Sequence, residues 1–145
     1  MTLTEIAQEV LKSNTYITLA TASADGVPRA TPVHFAYDAQ YVYWMSETTA
    51  THSRNLAAND KLFVTVFDAG QSVGELAQRR CVYIQTRGEL LSGDDELAAR
   101  EIFADKFGDE DGRKASEWGF YRARIGEIDS GKSDEQRVYF AGGDR

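Results

Sequence analysis

Residues 28–68 read PRATPVHFAYD (28–38), AQ (39–40), YVYWMSETTATHSRNLAAND (41–60) and KLFVTVFD (61–68), and their order decides the fold. A strand pattern from about Arg29 to Tyr37 turns at Asp38-Ala39-Gln40 into a second strand, Tyr41 to Ser46. A polar turn then opens a short helix over residues 51–59, and another strand follows at Lys61 to Phe67. Pro32 removes a ladder donor, so its strand belongs at a sheet edge or a bulge. The start of the short helix presents free backbone N–H groups and the positive end of a dipole. An anion such as a phosphate is a natural guest there, beside the sheet edge.

Working outward, Leu3, Ile6, Ala7, Val10 and Leu11 follow the spacing of one buried helix face. Thr2 and Glu5 have capping-box spacing, and Asn14 is the expected stop. Tyr16 to Thr21 alternates as a half-buried strand, and Asp25-Gly26 marks the hairpin turn after it. The strand at 41–46 is apolar on both faces, which predicts a central position or cover by a partner subunit. Residues 70–80 read as a loop, and Cys81 to Leu91 as a long strand that Gly88 bends. Ser92-Gly93-Asp94-Asp95 opens a helix with Ala99, Ile102, Phe103 and Phe107 on its buried face and Gly108 at its end. After a charged connection at 109–116, Phe120 to Ile128 reads as a last core strand and Arg137 to Ala141 as a short final one. The pattern is that of a mainly β, α+β domain built on a closed or partly closed antiparallel barrel.

With 145 residues, the chain is expected to form one domain, 1–145, with a core that needs no staples. A content of 42% apolar and 27% charged residues argues against disorder. The net charge of −7 weighs against nucleic acid, whose phosphates call for clustered Lys and Arg. No apolar run approaches the ~20 residues that cross a bilayer, so no membrane partner is expected. The start, MTLTEIAQEV, lacks the basic and apolar regions of a secretory signal. Together with a single cysteine, Cys81, this points to the cytoplasm.

Several chemistries find no motif. There is no Walker A loop, no G-x-G-x-x-G after a strand, no H-E-x-x-H and no nucleophile elbow. His34 and His52 lack metal-ligand spacing, so no metal site is expected. Cys81 in an apolar strand reads as core.

The hairpin GVPRATPVHF, the turn-helix TATHSRNLAAND followed by KLFVTVF, and the long strand VYIQTRGELL before a helix carry a resemblance. In that order they resemble the FMN-binding split barrel of the pyridoxamine 5'-phosphate oxidase-like superfamily, in its small uncharacterised members. The resemblance implies an antiparallel six-stranded split barrel with flanking helices, paired as a homodimer, with FMN in a groove at the interface. It further implies that Arg29, Thr31, Pro32, Val33 and His34 border the flavin, and that Met45 and Ser46 meet the ribityl phosphate end. Thr51 and His52 fall where the oxidase has a consecutive Arg-Lys pair. A hydroxyl and an imidazole thus stand in place of two fixed cations, leaving Arg54 and Arg29 as the cations at hand.

Each of these residues has a plainer role open to it. Arg29 is either at the flavin edge or an exposed strand arginine, and His34 either a ring or haem contact or a polar residue on an outer face. His52 and Arg54 either grip phosphate or decorate a short helix. Tyr41, Tyr43 and Trp44 suit core or subunit interface better than a cofactor box. Trp118 and Tyr121 are open to reaching across to a partner's ligand groove, though Trp118 reads better as a packing anchor. The functional expectation is a flavin-dependent oxidoreductase acting on a small molecule. The alternative is a flavin- or ligand-binding protein without turnover, or a barrel without cofactor.

Overall fold

A capping box starts the chain: Thr2 N–H donates to Glu5 Oε1 at 2.8 Å, and Glu5 N–H to Thr2 Oγ1 at 3.1 Å. It opens α1 (Leu3–Ser13), which Asn14 ends in extended conformation. The computed structural model describes residues 1–68, 80–108 and 118–143. Ile6, Ala7, Val10 and Leu11 of α1 join the main core, as their spacing predicts. β1 (Tyr16–Ala22) adds Ile17 and Leu19, each fully buried and contributing about 1.5–3 kcal/mol by transfer from water. Gly26, at φ 90°, supplies the left-handed residue of the turn into β2 (Pro28–His34).

The strand expected from Arg29 to Tyr37 divides in two. β2 pairs with β1, whereas β3 (Ala36–Tyr37) pairs with β4 (Tyr41–Glu47) on the far side of the sheet. Phe35 is the single residue between them, with its side chain wholly inside the core. Its amide donates to Thr15 O, so the chain crosses from one sheet edge to the other in one step. Burial of a large ring decides this break, and strand propensity alone does not reveal it.

After β4 come α2 (Thr51–Ala58), β5 (Lys61–Phe67), β6 (Cys81–Leu90) and α3 (Gly93–Phe107). β7 (Trp118–Arg124), β8 (Glu127–Ile128) and β9 (Arg137–Ala141) complete the described strands. The sheet order is β2-β1-β5-β6-β7-β4-β3, with β9 parallel to β6 and antiparallel to β8. All other pairings are antiparallel. The six strands of seven residues or more form the curled wall of a split barrel. Breaks at Phe35 and at Gly126, whose φ is +79°, set off the two-residue strands β3 and β8, and the short β9 brings the described strands to nine. The parallel β9 is a second departure from the all-antiparallel expectation. Gly88 bends β6 as expected: residues 81–87 pair with β5 and 88–90 with β7. The loops expected at 70–80 and 109–116 lie almost wholly outside the described residues.

β4 takes the central position that its two apolar faces predict, between β7 and β3, and α3 covers its second apolar face: Tyr43 and Met45 pack with Ala99, Phe103 and Phe120. Trp44 is fully buried on the other face, stacked on Tyr121 at 5.7 Å between centroids. No partner meets its indole N–H, at a cost of about 1–3 kcal/mol. Tyr43 and Trp44 are therefore core residues.

Toward its end, α3 is fixed by Lys106, whose Nζ donates to Asn14 O and Phe35 O, each at 2.8 Å. The ammonium also lies 3.8 Å from the centre of the Phe35 ring. This one side chain ties α3 to the end of α1 and to the break between β2 and β3.

Candidate functional site

Because β2 and the β4-β3 pair lie at opposite ends of the sheet order, curling brings them face to face across a cleft of about 250 Å³. Thr31, Pro32, Val33 and His34 of β2 form one wall. Met45, Ser46 and Glu47 of β4 form the other, and Ala50 and His52 at the start of α2 close one end. Seven of the ten residues singled out in the sequence thus meet here. Arg29, Thr51 and Arg54 stand outside the lining. Arg54 is exposed and donates through Nη1 to Thr49 O at 2.8 Å, bracing the turn before α2. Arg29 is exposed too, yet close enough for its charge to act on His52.

Three features give the cleft its chemistry. Thr31 Oγ1 is buried and has no hydrogen-bond partner among the described residues. Buried hydroxyls are nearly always paired, so this one is a donor and acceptor left over for a guest. At the cleft end, α2 begins at Ala50 without any side-chain cap, which leaves its first amides free. Finally, His52 Nε2 lies 2.9 Å from Ser46 Oγ, both residues being buried. Burial, and then the Arg29 charge, hold the His52 pKa below its ordinary 6.5, so the ring is neutral at pH 7.

The start of α2 is held in place from below. Ser53 Oγ donates to Glu47 O at 2.7 Å, Asn55 Nδ2 to Thr21 Oγ1 at 3.0 Å, and Leu56 enters the main core. His34 sits at the rim between two rings, 4.4 Å from Tyr16 and 5.1 Å from Phe107. Tyr16, Phe103 and Trp118 also line the cleft, and the sequence did not single out the first two as site residues. Strand register is the signal for Trp118, which pairs with Glu47 across β4 and β7. Phe103 reaches the cleft from the buried face of α3, a placement that only tertiary packing reveals.

A wider hollow of about 400 Å³ lies beside α3, lined by Lys12, Ala36, Tyr37, Ile102, Asp105 and Lys106. Its one buried cation is already committed to two backbone carbonyls. The narrower cleft keeps an orphaned hydroxyl and free amides, and is the better candidate. Cys81, half-buried at the start of β6, stands apart from both histidines, whose contacts are with Ser46 and with Tyr16 and Phe107.

Curled sheet, edge strand and cleft define a split-barrel protein. The sequence profile of the family described as pyridoxamine 5'-phosphate oxidase matches residues 3–131, and the chain belongs to that family. No curated protein matches it in sequence. Among solved structures it is similar to HutZ, the heme storage protein from Vibrio cholerae. That likeness has 20% identity and a TM-score of 0.73, over 86% of this chain and 90% of that one. A heme binding protein from Mycobacterium smegmatis shares 21% identity with a TM-score of 0.70, over 88% of this chain. The likeness takes in 52% of the mycobacterial chain, about half its length. An FAD-binding protein from Mesorhizobium loti shares 26% identity with a TM-score of 0.65, over 85% of this chain and 88% of that one. Among the described residues no helix is long and apolar enough to cross a membrane.

Proposed function

We propose that the cleft between β2 and β4 holds FMN, and that the protein is a flavin-dependent oxidoreductase acting on a small molecule. The observation that carries this reading is that Thr31, with its orphaned hydroxyl, and the uncapped start of α2 border one groove. The donor set fits a mononucleotide: Thr31 and backbone of β2 for the ring, and Ser46 and the α2 amides with Arg29 for the ribityl phosphate end. FMN, when bound, supplies hydride chemistry; the chain's own residues bind and orient it and exclude water. Family membership and the likeness to an FAD-binding protein support a flavin.

A homodimer accompanies the reading. Phe63, Tyr83 and Tyr139 stack in a ladder across β5, β6 and β9, at 5.7 and 4.7 Å, on the face turned away from the main core. They are half-buried, an apolar strip suited to a second copy. Light scattering at micromolar concentration tests it: a dimer is expected, and a monomer contradicts the pairing.

The second reading is haem, favoured by the likeness to two heme proteins and by His34 at the cleft rim. Spectra separate the two. Flavin bands on purification or on adding FMN support the first; a Soret band on adding haem, lost in His34→Ala, supports the second. Protein that binds neither is a cofactor-free barrel.

A further inference from the structure

In the cleft, the polar side chains of Ser46 and His52 lie within hydrogen-bond reach of each other, at 2.9 Å. The position of this pair is specific: Ser46 ends β4, His52 is the second residue of α2, and the uncapped amides lie between them in the chain. A neutral imidazole has one donor and one acceptor nitrogen, so either Ser46 or His52 can supply the proton of this bond. Once both ring nitrogens carry protons, Nε2–H must donate. Ser46 Oγ is then obliged to accept, and its own O–H turns free.

We propose that His52 is a proton-taking specificity residue of the cleft, which gains a proton from solvent when a phosphate-ended ligand enters and releases the Ser46 hydroxyl to donate to it. The proton taken up adds one donor for the ligand, the Ser46 O–H where Ser46 had been donating to the ring, and leaves a positive charge on the imidazole where fixed cations are lacking. The inference rests on the flavin reading of the same cleft and adds that ligand choice there depends on pH.

The charged surroundings favour such a change only when an anion arrives. Arg29 on β2 opposes a second positive charge in the empty cleft, as does burial. Glu47 on β4 lines the cleft but leaves the ring neutral, and His34 on β2 is occupied at the rim between two aromatic rings. Arg54, on the same helix as His52, is turned to Thr49 O. α3 and β7 contribute Phe103 and Trp118 to the lining, neither of which carries charge. A dianion beside the ring reverses the balance, since an opposite charge within a few ångströms favours the protonated form.

The test is titration of the full chain with FMN and with riboflavin at pH 6.5 and 8.5, a range in which the FMN phosphate is mostly dianionic. FMN is expected to bind about three- to tenfold tighter at the lower pH, with riboflavin unchanged. Calorimetry in two buffers of different ionisation enthalpy should show proton uptake with FMN alone, up to one per site. In His52→Gln the pH dependence should vanish while riboflavin binding stays. Ser46→Ala, which keeps the imidazole, should lose more FMN affinity at pH 6.5 than at 8.5. FMN affinity equal at both pH values, or a slope that survives His52→Gln, overturns the inference and leaves the flavin reading standing. No FMN binding at either pH overturns both.

Discussion

Asn55 Nδ2 donates to Thr21 Oγ1 at 3.0 Å in the buried seam between α2 and β1. This bond sets the rotation of α2, and with it the direction in which its free first-turn amides point. Thr21→Val removes the acceptor and leaves a buried amide unpaired, at a cost of about 1–3 kcal/mol by urea denaturation. Adding Asn55→Leu should recover much of that loss, because the second unpaired group goes too. FMN affinity should fall in both variants if the seam positions the helix.

Thr31→Val tests the orphaned hydroxyl. The change keeps the shape and the strand preference while deleting a buried, unpartnered oxygen. The variant should be at least as stable as the parent, by up to about 1 kcal/mol, and bind FMN about 0.5–1.5 kcal/mol more weakly. A loss of stability would mean that the hydroxyl serves the fold.

Lys106→Met addresses stability against pH. Burial brings the Lys106 pKa from its ordinary 10.5 down to about 8. Between pH 8 and 10.5 the unfolded chain therefore holds more protons at this residue than the folded one. Stability must rise with pH across that window. The wild-type protein should gain stability relative to Lys106→Met as pH goes from 8 to 10, measured by denaturant midpoint. Parallel curves for the two proteins would refute the assignment.

Gly126→Ala probes the crossing of β8 and β9. At φ +79° a Cβ here would strike Ala141 O and Gly142 Cα, both backbone. Neither can yield as a flexible side chain would, so the substitution should cost about 2 kcal/mol or more in thermal or urea unfolding.

Much of this architecture is legible in the chain because local signals and tertiary packing agree. The Thr2–Glu5 capping box, the alternation of β1, the turn at Gly26 and the bend at Gly88 each follow from residue type at a fixed spacing. Phe35 and Gly126 split strands for reasons of core filling and backbone crowding, which periodicity does not encode. Trp44 was legible as buried but not as to what covers its strand, since α3 returns from fifty residues away. At the cleft, β2 and the end of β4 were found through their motifs. Proximity in sequence does not show that the Arg54 guanidinium turns back to Thr49 O. That His52 and Ser46 form a pair depends on how α2 folds back, and six residues of separation do not say so.

The central claim is that the groove between β2 and β4 takes the phosphate-bearing flavin. Its most direct test is a titration of purified protein with FMN, followed by flavin fluorescence, in parallel with Thr31→Val. The account predicts saturable binding of one FMN per chain, tighter than riboflavin and weakened by the substitution. Absence of any binding at millimolar FMN, or binding that ignores both the phosphate and Thr31, would contradict it.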